Sequence, residues 1–224
     1  VEAKDSAKIV DSINIDLSSR QYLTMSEILM LDIIATNAAN GWQRPIYWAS
    51  TVPNSYHLGL TPYMKSIGMT YQLVPILHSE ELPARTDKAY DLIKNKYQWG
   101  TDGKNPTPYF DETAGRMLTG VRTSIIRTAG QLVAEGEEIL SSDSTTNQSL
   151  ATDKYRKAKE LLELMETKLP QTIKPYSLFG EGMEVGELYV RIGKFMNDDK
   201  LRQKGLTIME DVLCRYAQNV KYTT

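Results

Sequence analysis

The sequence predicts an α+β protein in which a small N-terminal α/β unit with a short sheet precedes an all-α region of about four helices. Two observations lead to this fold class. All three Trp and most of the Pro lie before residue 110. After residue 110 the chain is rich in helix formers, and its apolar residues recur at helical spacing. We therefore predict a small α/β domain at 1–110 and a helical domain at 111–224.

The composition is that of an ordinary globular protein. The 224 residues carry 26 basic and 28 acidic side chains, a net charge of −2, and 41% are hydrophobic. This excludes a disordered chain, and it excludes a nucleic-acid-binding domain, which needs clustered positive charge. The longest apolar stretch, 28–35, is broken by Asp32, so we expect no membrane insertion by this segment. The polar start at Val1-Glu2-Ala3, without Met, predicts a mature product or an excised fragment without a signal peptide.

The first elements follow from alternation and capping. Alternating apolar residues predict a strand at 9–17. Thr24 and Glu27 have the spacing of a capping box, which predicts a helix from there to Asn40-Gly41, where Gly suits a left-handed C-terminal cap. The residues 44–50 predict a second strand, with Pro45 at its first residue or on an edge, because Pro has no N–H to donate.

The rest of the first domain is predicted from Pro and Gly positions. Thr61-Pro62 predicts the start of a short helix over 63–67 that stops at Gly68. The residues 69–74 predict another strand, so that a β-α-β unit results. A further helix is expected over 89–99.

Four one-sided apolar stripes predict the helices of the second domain. They run over 118–132, 155–169, 185–195 and 201–216. The helices pair into two similar hairpins, in which Gly136 and Gly193 close the first helices and the small residues Ala158 and Gly205 let the second helices approach closely. This pattern is typical of tetratricopeptide-like (TPR-like) hairpins, but an ordinary four-helix bundle has the same stripes. Both alternatives remain open at this point.

The sequence predicts no catalytic residues, no metal site and no cofactor. His57 and His78 have no Cys near them, and Cys214 lies inside the last predicted helix, where a thiol is not activated. No glycine-rich nucleotide motif occurs. The acidic pairs at 181–184 and 111–112 are expected at helix starts, because the helix dipole favours acids there. A cryptic hydrolase that uses scattered carboxylates is the least favoured alternative.

An aromatic cluster is the candidate for ligand binding. Aromatic rings can stack on a sugar or a peptide, and Arg44 and Gln43 supply hydrogen-bond donors. The predicted ligand-binding residues are Trp42, Arg44, Tyr47, Trp48, Tyr71 and Trp99. The alternative is that the same rings fill the core of a small α/β domain.

Two segments carry a family resemblance. The run Trp42-Gln43-Arg44-Pro45-Ile46-Tyr47-Trp48-Ala49 and the later Tyr71-Gln72-Leu73-Val74-Pro75 resemble the soluble C-terminal region of bacterial protein O-mannosyltransferase-like multi-pass membrane proteins of unknown function. The resemblance implies a periplasmic location and an anchor in an upstream membrane domain. It also implies that the catalytic acids lie in that membrane domain, so none is carried over to this chain.

We therefore expect a non-catalytic, extracytoplasmic accessory domain of a glycosyltransferase-like membrane protein. Its expected partners are a protein or glycan acceptor and its own upstream membrane domain. The alternative is a helical-repeat scaffold for protein–protein interactions. No nucleic-acid partner is expected.

Overall fold

The computed structural model describes residues 8–15, 17, 21–78, 83–99, 111–141, 147–176 and 180–223, the last four of these without their side chains. It confirms the predicted α+β class, with a small antiparallel sheet followed by long helices. The chain separates into two compact units, Val1–Arg85 and Thr86–Thr224.

The first helix, α1 (Met25–Ala39), begins and ends as the sequence predicts. At its start the Thr24 side chain accepts a hydrogen bond from the Glu27 N–H, and the Glu27 carboxylate accepts one from the Thr24 N–H at 2.8 Å. At its end Gly41 has a φ of +71°, the Gly41 N–H donates to Ala38 and the Trp42 N–H donates to Asn37. This is a Schellman motif, and it turns the chain back along α1.

The described residues of the first unit contain one antiparallel sheet with the strand order β1-β3-β2. The strands are β1 (Tyr47–Ala49), β2 (Met64–Ile67) and β3 (Thr70–Leu73). Pro45 precedes β1, which is an edge strand, in agreement with the prediction. Trp48 lies opposite Tyr71, and Tyr71 lies opposite Ser66, so these three residues share one face of the sheet.

Three predictions for this unit are wrong. Residues 9–17 form no regular strand among those described; Ile9 makes only a single bridge with Ile76. The predicted helix over 63–67 is instead a 3-10 turn, Thr61–Tyr63, followed by strand β2. The predicted β-α-β unit joined β1 to β3 through that helix. Instead, β1 pairs antiparallel with β3, and β2 and β3 form an antiparallel hairpin with a two-residue connection, so these three strands contain no β-α-β unit.

Gly68 explains the misassigned helix. It has a φ of +60° and occupies the first position of the two-residue turn between β2 and β3. Glycine at that position is typical of a tight hairpin turn as well as of a helix end. The pairing partner, β3, decides between these two structures.

The second unit begins with α2 (Thr86–Asp91), which continues as a π-helical turn, Leu92–Lys96. The predicted helix over 89–99 therefore ends three residues early. Ile93 is completely buried in the helical core, and Tyr90, Tyr97 and Trp99 pack against that core. Residues 86–99 thus belong by contact to the helical unit, although the sequence placed the boundary after residue 110. The position of the boundary between independently folding domains stays a prediction.

Four long helices follow, as predicted. They are α3 (Glu112–Ser141), α4 (Asn147–Lys168), α5 (Glu181–Met196) and α6 (Asp199–Thr223). The start of α6 is capped by Asp198, whose carboxylate accepts hydrogen bonds from the N–H groups of Lys200 and Leu201.

The two glycines predicted to close the first helices have a different role. Helix α3 continues five residues beyond Gly136, and α5 ends at Met196 with Asn197 as its left-handed cap. A Cβ at Gly136 would lie 2.8 Å from the ring of Tyr155, and one at Gly193 would lie 2.8 Å from the Arg202 N. Both glycines are therefore sites of close approach between helices.

The order of helix contacts bears on the two alternatives for this unit. Helix α3 packs on α4, α5 packs on α6, and α3 and α4 both contact α5. In the described part of the chain, α6 makes no extensive contact with α3, which a closed four-helix bundle would bring together. The arrangement favours two stacked hairpins, and a relation to tetratricopeptide repeats stays a prediction.

Candidate functional site

A groove of about 970 Å³ lies in the first unit between α1 and the segment 43–48 that enters β1. We call it the α1–β1 groove. Its α1 wall extends from Ser26 to Asn40 and its other wall from Gln43 to Trp48. All of its lining residues belong to the first unit.

Local hydrogen bonds hold the two walls of the groove together. The Asn37 side chain donates to the Arg44 carbonyl oxygen at 2.6 Å and accepts from the Arg44 N–H at 3.2 Å. With the Schellman turn at Gly41, these bonds fix how the chain leaves α1 and returns beside it. These bonds set the spacing between the two walls of the groove.

The α1 wall contains four large apolar side chains among polar ones. Leu29 and Ile33 line it, and their side chains are 55% and 59% exposed. Next to them Met30 and Ile34 contribute to the base, where Ile34 is buried in the core of the unit. Exposed aliphatic side chains at such a position favour binding of a partner, because the partner removes their apolar surface from water.

The opposite wall combines aromatic and polar groups. Tyr47 is 41% exposed, whereas Trp48 is buried and presents only part of its ring. Gln43 and Arg44 are exposed and supply donors, and Asp32 on α1 supplies a carboxylate. The groove can thus bury apolar groups at its centre and hydrogen-bond polar groups at its margin.

The structure brings together only part of the predicted ligand-binding set. Arg44, Tyr47 and Trp48 line the α1–β1 groove. Trp42 is half-buried against the core of the same unit, and Tyr71 is buried within that core. Trp99 packs on the core of the helical unit instead. Whether any of these residues binds a ligand stays a prediction.

Sequence reasoning missed the α1 wall. Helix α1 carries apolar side chains on all sides, so it has no single apolar stripe. A helix of this type is normally buried, yet Met25, Ile28, Leu29 and Ile33 are exposed here. Apolar residues around the whole circumference of a helix in a small domain are the signal that could have found it.

The candidate metal and acid residues have other surroundings. In the ranges that the structure covers, no group of three or more His, Cys, Asp or Glu side chains has metal-site geometry. Cys214 is exposed on α6. Asp111 accepts a hydrogen bond from the Ala114 N–H at the start of α3, and Glu181 lies 4.0 Å from Arg122. Burial, reinforced by Glu187, raises the pKa of Glu184.

Comparison with known proteins gives one match. The model of a protein family described as TMEM260-associated domain 2 matches residues 1–92, which is less than half of the chain. The match covers the first unit, including the α1–β1 groove, and extends over α2. It links this part of the chain to a domain associated with a membrane protein. No curated protein and no solved structure matches the chain.

The helices themselves show no membrane-spanning character. Among the residues described, none belongs to a helix that is both long enough and apolar enough to cross a bilayer.

Proposed function

We propose that this chain is a non-catalytic, extracytoplasmic accessory domain of a glycosyltransferase-like membrane protein, and that it positions a polypeptide in the α1–β1 groove. The polypeptide is the acceptor or a partner of the membrane protein. The match to TMEM260-associated domain 2 supports the association with a membrane protein. The resemblance of the 42–49 and 71–75 segments supports the periplasmic side and the glycosyltransferase.

The single observation that carries the proposal is the composition of the groove. Leu29 and Ile33 offer aliphatic surface at its centre, and Arg44 and Gln43 offer donors beside it. Apolar side chains of a polypeptide fit such a centre, and its backbone carbonyl groups accept hydrogen bonds from such donors. A glycan would bury fewer apolar atoms against the aliphatic wall.

The aliphatic wall is large enough to matter energetically. Burying the exposed parts of two such side chains contributes about 3 kcal/mol at ~25 cal/mol per Å² of apolar surface. That is a factor of roughly one hundred in affinity. A charge placed on this wall should therefore weaken binding strongly.

The test is selection of binding peptides from a random dodecapeptide display library, followed by measurement of their Kd. We expect the selected peptides to carry large apolar residues. Leu29→Glu and Ile33→Glu should weaken binding by about a hundredfold. The matched control is Ile28→Glu, which changes an exposed residue of the same helix that does not line the groove. Circular dichroism and thermal unfolding establish that each variant is folded.

Three outcomes contradict the proposal. One is equal loss of binding in Ile28→Glu and Leu29→Glu. Another is binding of neutral oligosaccharides, probed with maltose, mannobiose and chitobiose, in place of peptides. The third is sugar transfer by the chain alone that a single substitution abolishes, because the domain would then be catalytic.

A second candidate function is a helical-hairpin scaffold for protein binding. The observation that favours it is the outer side of α6, where Leu206, Leu213 and Tyr216 are each more than 40% exposed. The same peptide selection distinguishes the two candidates. If the scaffold is correct, Leu213→Glu abolishes binding and Leu29→Glu does not, with Gln203→Glu as the control on the polar surface of α6.

A further inference from the structure

His57 is a buried imidazole one side chain away from the α1–β1 groove. It ends a 3-10 turn, Asn54–His57, and its side chain is completely buried. Among the residues that the structure describes, neither Nδ1 nor Nε2 finds a hydrogen-bond partner. The neutral imidazole leaves one donor and one acceptor unpaired here, whereas the imidazolium would leave two donors and a buried charge unpaired, so burial favours the neutral form.

Two aromatic rings enclose His57. The centroid of the imidazole lies 6.2 Å from that of Trp48 and 5.9 Å from that of Tyr71, both in edge-on geometry. Trp48 and Tyr71 form a cross-strand pair of β1 and β3, and Trp48 also lines the groove. His57 therefore supports, from the interior, a ring that the groove presents to its ligand.

Within the described part of the first unit, the side chains that face His57 carry no charge that would compensate a proton on it. The side chain of β3 that faces His57 is Tyr71, which is titratable. The side chain of β1 that faces His57 is Trp48, which does not titrate. On β2, Lys65 pairs with Gln72 and so lies on the opposite face of the sheet. From α1, Ile34 enters this core, and Glu27 is bound in the capping box. Burial accordingly lowers the pKa of His57 from its usual 6.5.

We propose that His57 is an acid-sensitive support for Trp48, so that its protonation shifts the Trp48 ring and weakens binding in the α1–β1 groove. The imidazolium has two N–H donors, and its present position offers no acceptor for either. It must therefore move toward water or toward an acceptor. Because its ring packs against Trp48, this movement changes the groove. The effect on binding rests on the proposed function, whereas the movement of Trp48 does not.

The experiment follows the indole N–H signals of the full ¹⁵N-labelled chain from about pH 7.5 to about pH 5. The chain has three Trp, and Trp48→Phe identifies the Trp48 signal. We expect the Trp48 signal to shift with a midpoint below 6.5, the usual His value, while those of Trp42 and Trp99 stay constant. His57→Gln should remove the shift, and the control His78→Gln should keep it. If His57→Gln does not fold, His57→Phe is the replacement.

Peptide affinity provides the second readout. For a peptide selected at neutral pH, we expect the Kd to rise about tenfold by about pH 5, and by less than about twofold in His57→Gln. A Trp48 signal that does not titrate overturns the inference, even if peptides bind. A Trp48 signal that titrates without any change in Kd overturns its functional part. Failure to bind any peptide at neutral pH contradicts the proposed function, and the Trp48 titration is then judged separately.

Discussion

Arg122 of α3 is a charged residue inside the core of the helical unit. Its side chain is completely buried, and its Nη2 donates to the carbonyl oxygens of Leu169 at 2.8 Å and Lys174 at 2.5 Å. The guanidinium also lies 5.2 Å from the ring centroid of Tyr176. Burial lowers the pKa of Arg122, and Glu181 opposes this effect. Arg122 thus stabilises the segment that connects α4, in the first hairpin, to α5, in the second.

We predict that Arg122→Met lowers the free energy of unfolding of the helical unit by about 3 kcal/mol, because buried carbonyl groups lose their donor. Arg122→Lys should cost about 2 kcal/mol, since an ammonium group cannot reproduce the planar fork. Urea unfolding measures both values. The control is Arg116→Met, an exposed arginine of the same helix whose change should stay within about 0.5 kcal/mol. Equal stability of Arg122→Met and the unchanged chain would contradict this role.

At the scale of elements, the contact between α5 and α6 depends on two glycines. A Cβ at Gly205 would lie 2.4 Å from the carbonyl oxygen of Gly186 and 3.0 Å from the Val190 N. Both obstacles are backbone atoms, which cannot move out of the way without shifting a helix. The predicted role of Gly205, close approach of the second helix in its hairpin, is confirmed.

We predict that Gly205→Ala destabilises the helical unit by about 2 kcal/mol or more, because the helices must separate. Gly120→Ala is the matched control. Gly120 lies within α3 with no atom within 4 Å of a new Cβ, so alanine should raise stability there by about 0.5–1 kcal/mol. Thermal unfolding followed by circular dichroism compares the two. Stabilisation by both substitutions would show that the α5–α6 contact tolerates a methyl group.

A group of hydrogen bonds to one carboxylate joins α2 and the π-helical turn to α4. The Glu160 carboxylate accepts hydrogen bonds from Tyr90, Lys94 and Arg156. Burial raises the pKa of Glu160, but these three donors outweigh it and lower the pKa to about 2 from 4.5. The unfolded chain lacks these donors, so it takes up a proton on Glu160 at a higher pH than the folded chain does.

This difference between the folded and unfolded chain makes the free energy of unfolding rise with pH. The contribution of Glu160 is fully present above about pH 4.5 and is lost as the pH falls from there toward about 2. We predict that Glu160→Gln is less stable than the unchanged chain at neutral pH, and that the difference shrinks across this window. Urea unfolding at a series of pH values measures it. Glu163→Gln, at an exposed position of the same helix, is the control; a constant difference for Glu160→Gln would refute the assignment.

At the scale of the whole molecule, the helical unit includes residues that precede its long helices. Ile93 is completely buried in the hydrophobic core of the helical unit, and the Thr86 hydroxyl donates to the Glu135 carboxylate of α3 at 2.9 Å. A boundary after residue 110 would remove both contacts from the helical domain.

We predict that a fragment of residues 86–224 folds cooperatively and that a fragment of residues 111–224 is less stable by about 3 kcal/mol. The reason is the loss of the buried Ile93 and of the aromatic residues that pack beside it. Urea unfolding of both fragments, followed by circular dichroism, is the measurement. Equal stability of the two would instead support the boundary after residue 110.

Much of the helical structure was predictable because its signals are local. The Thr24–Glu27 capping box and the apolar spacing of α3 to α6 depend on residues three or four positions apart. Arg44, Tyr47 and Trp48 line one groove because they are neighbours in the chain, and their role in binding stays a prediction. Trp99 and Tyr71 were grouped with them by residue type alone, and type does not specify which core an aromatic ring enters.

Local signals in the sequence thus specified the fold class, the four long helices and the start and end of α1. Only the tertiary structure decided that residues 64–67 form a strand, because their partner in β3 satisfies backbone groups that a helix would satisfy internally. It also decided that α1 exposes Leu29 and Ile33 beside β1, and that the His57 imidazole has no hydrogen-bond partner in the described part of the chain. Contacts between distant residues produce these features, and periodicity within one segment carries no information about them.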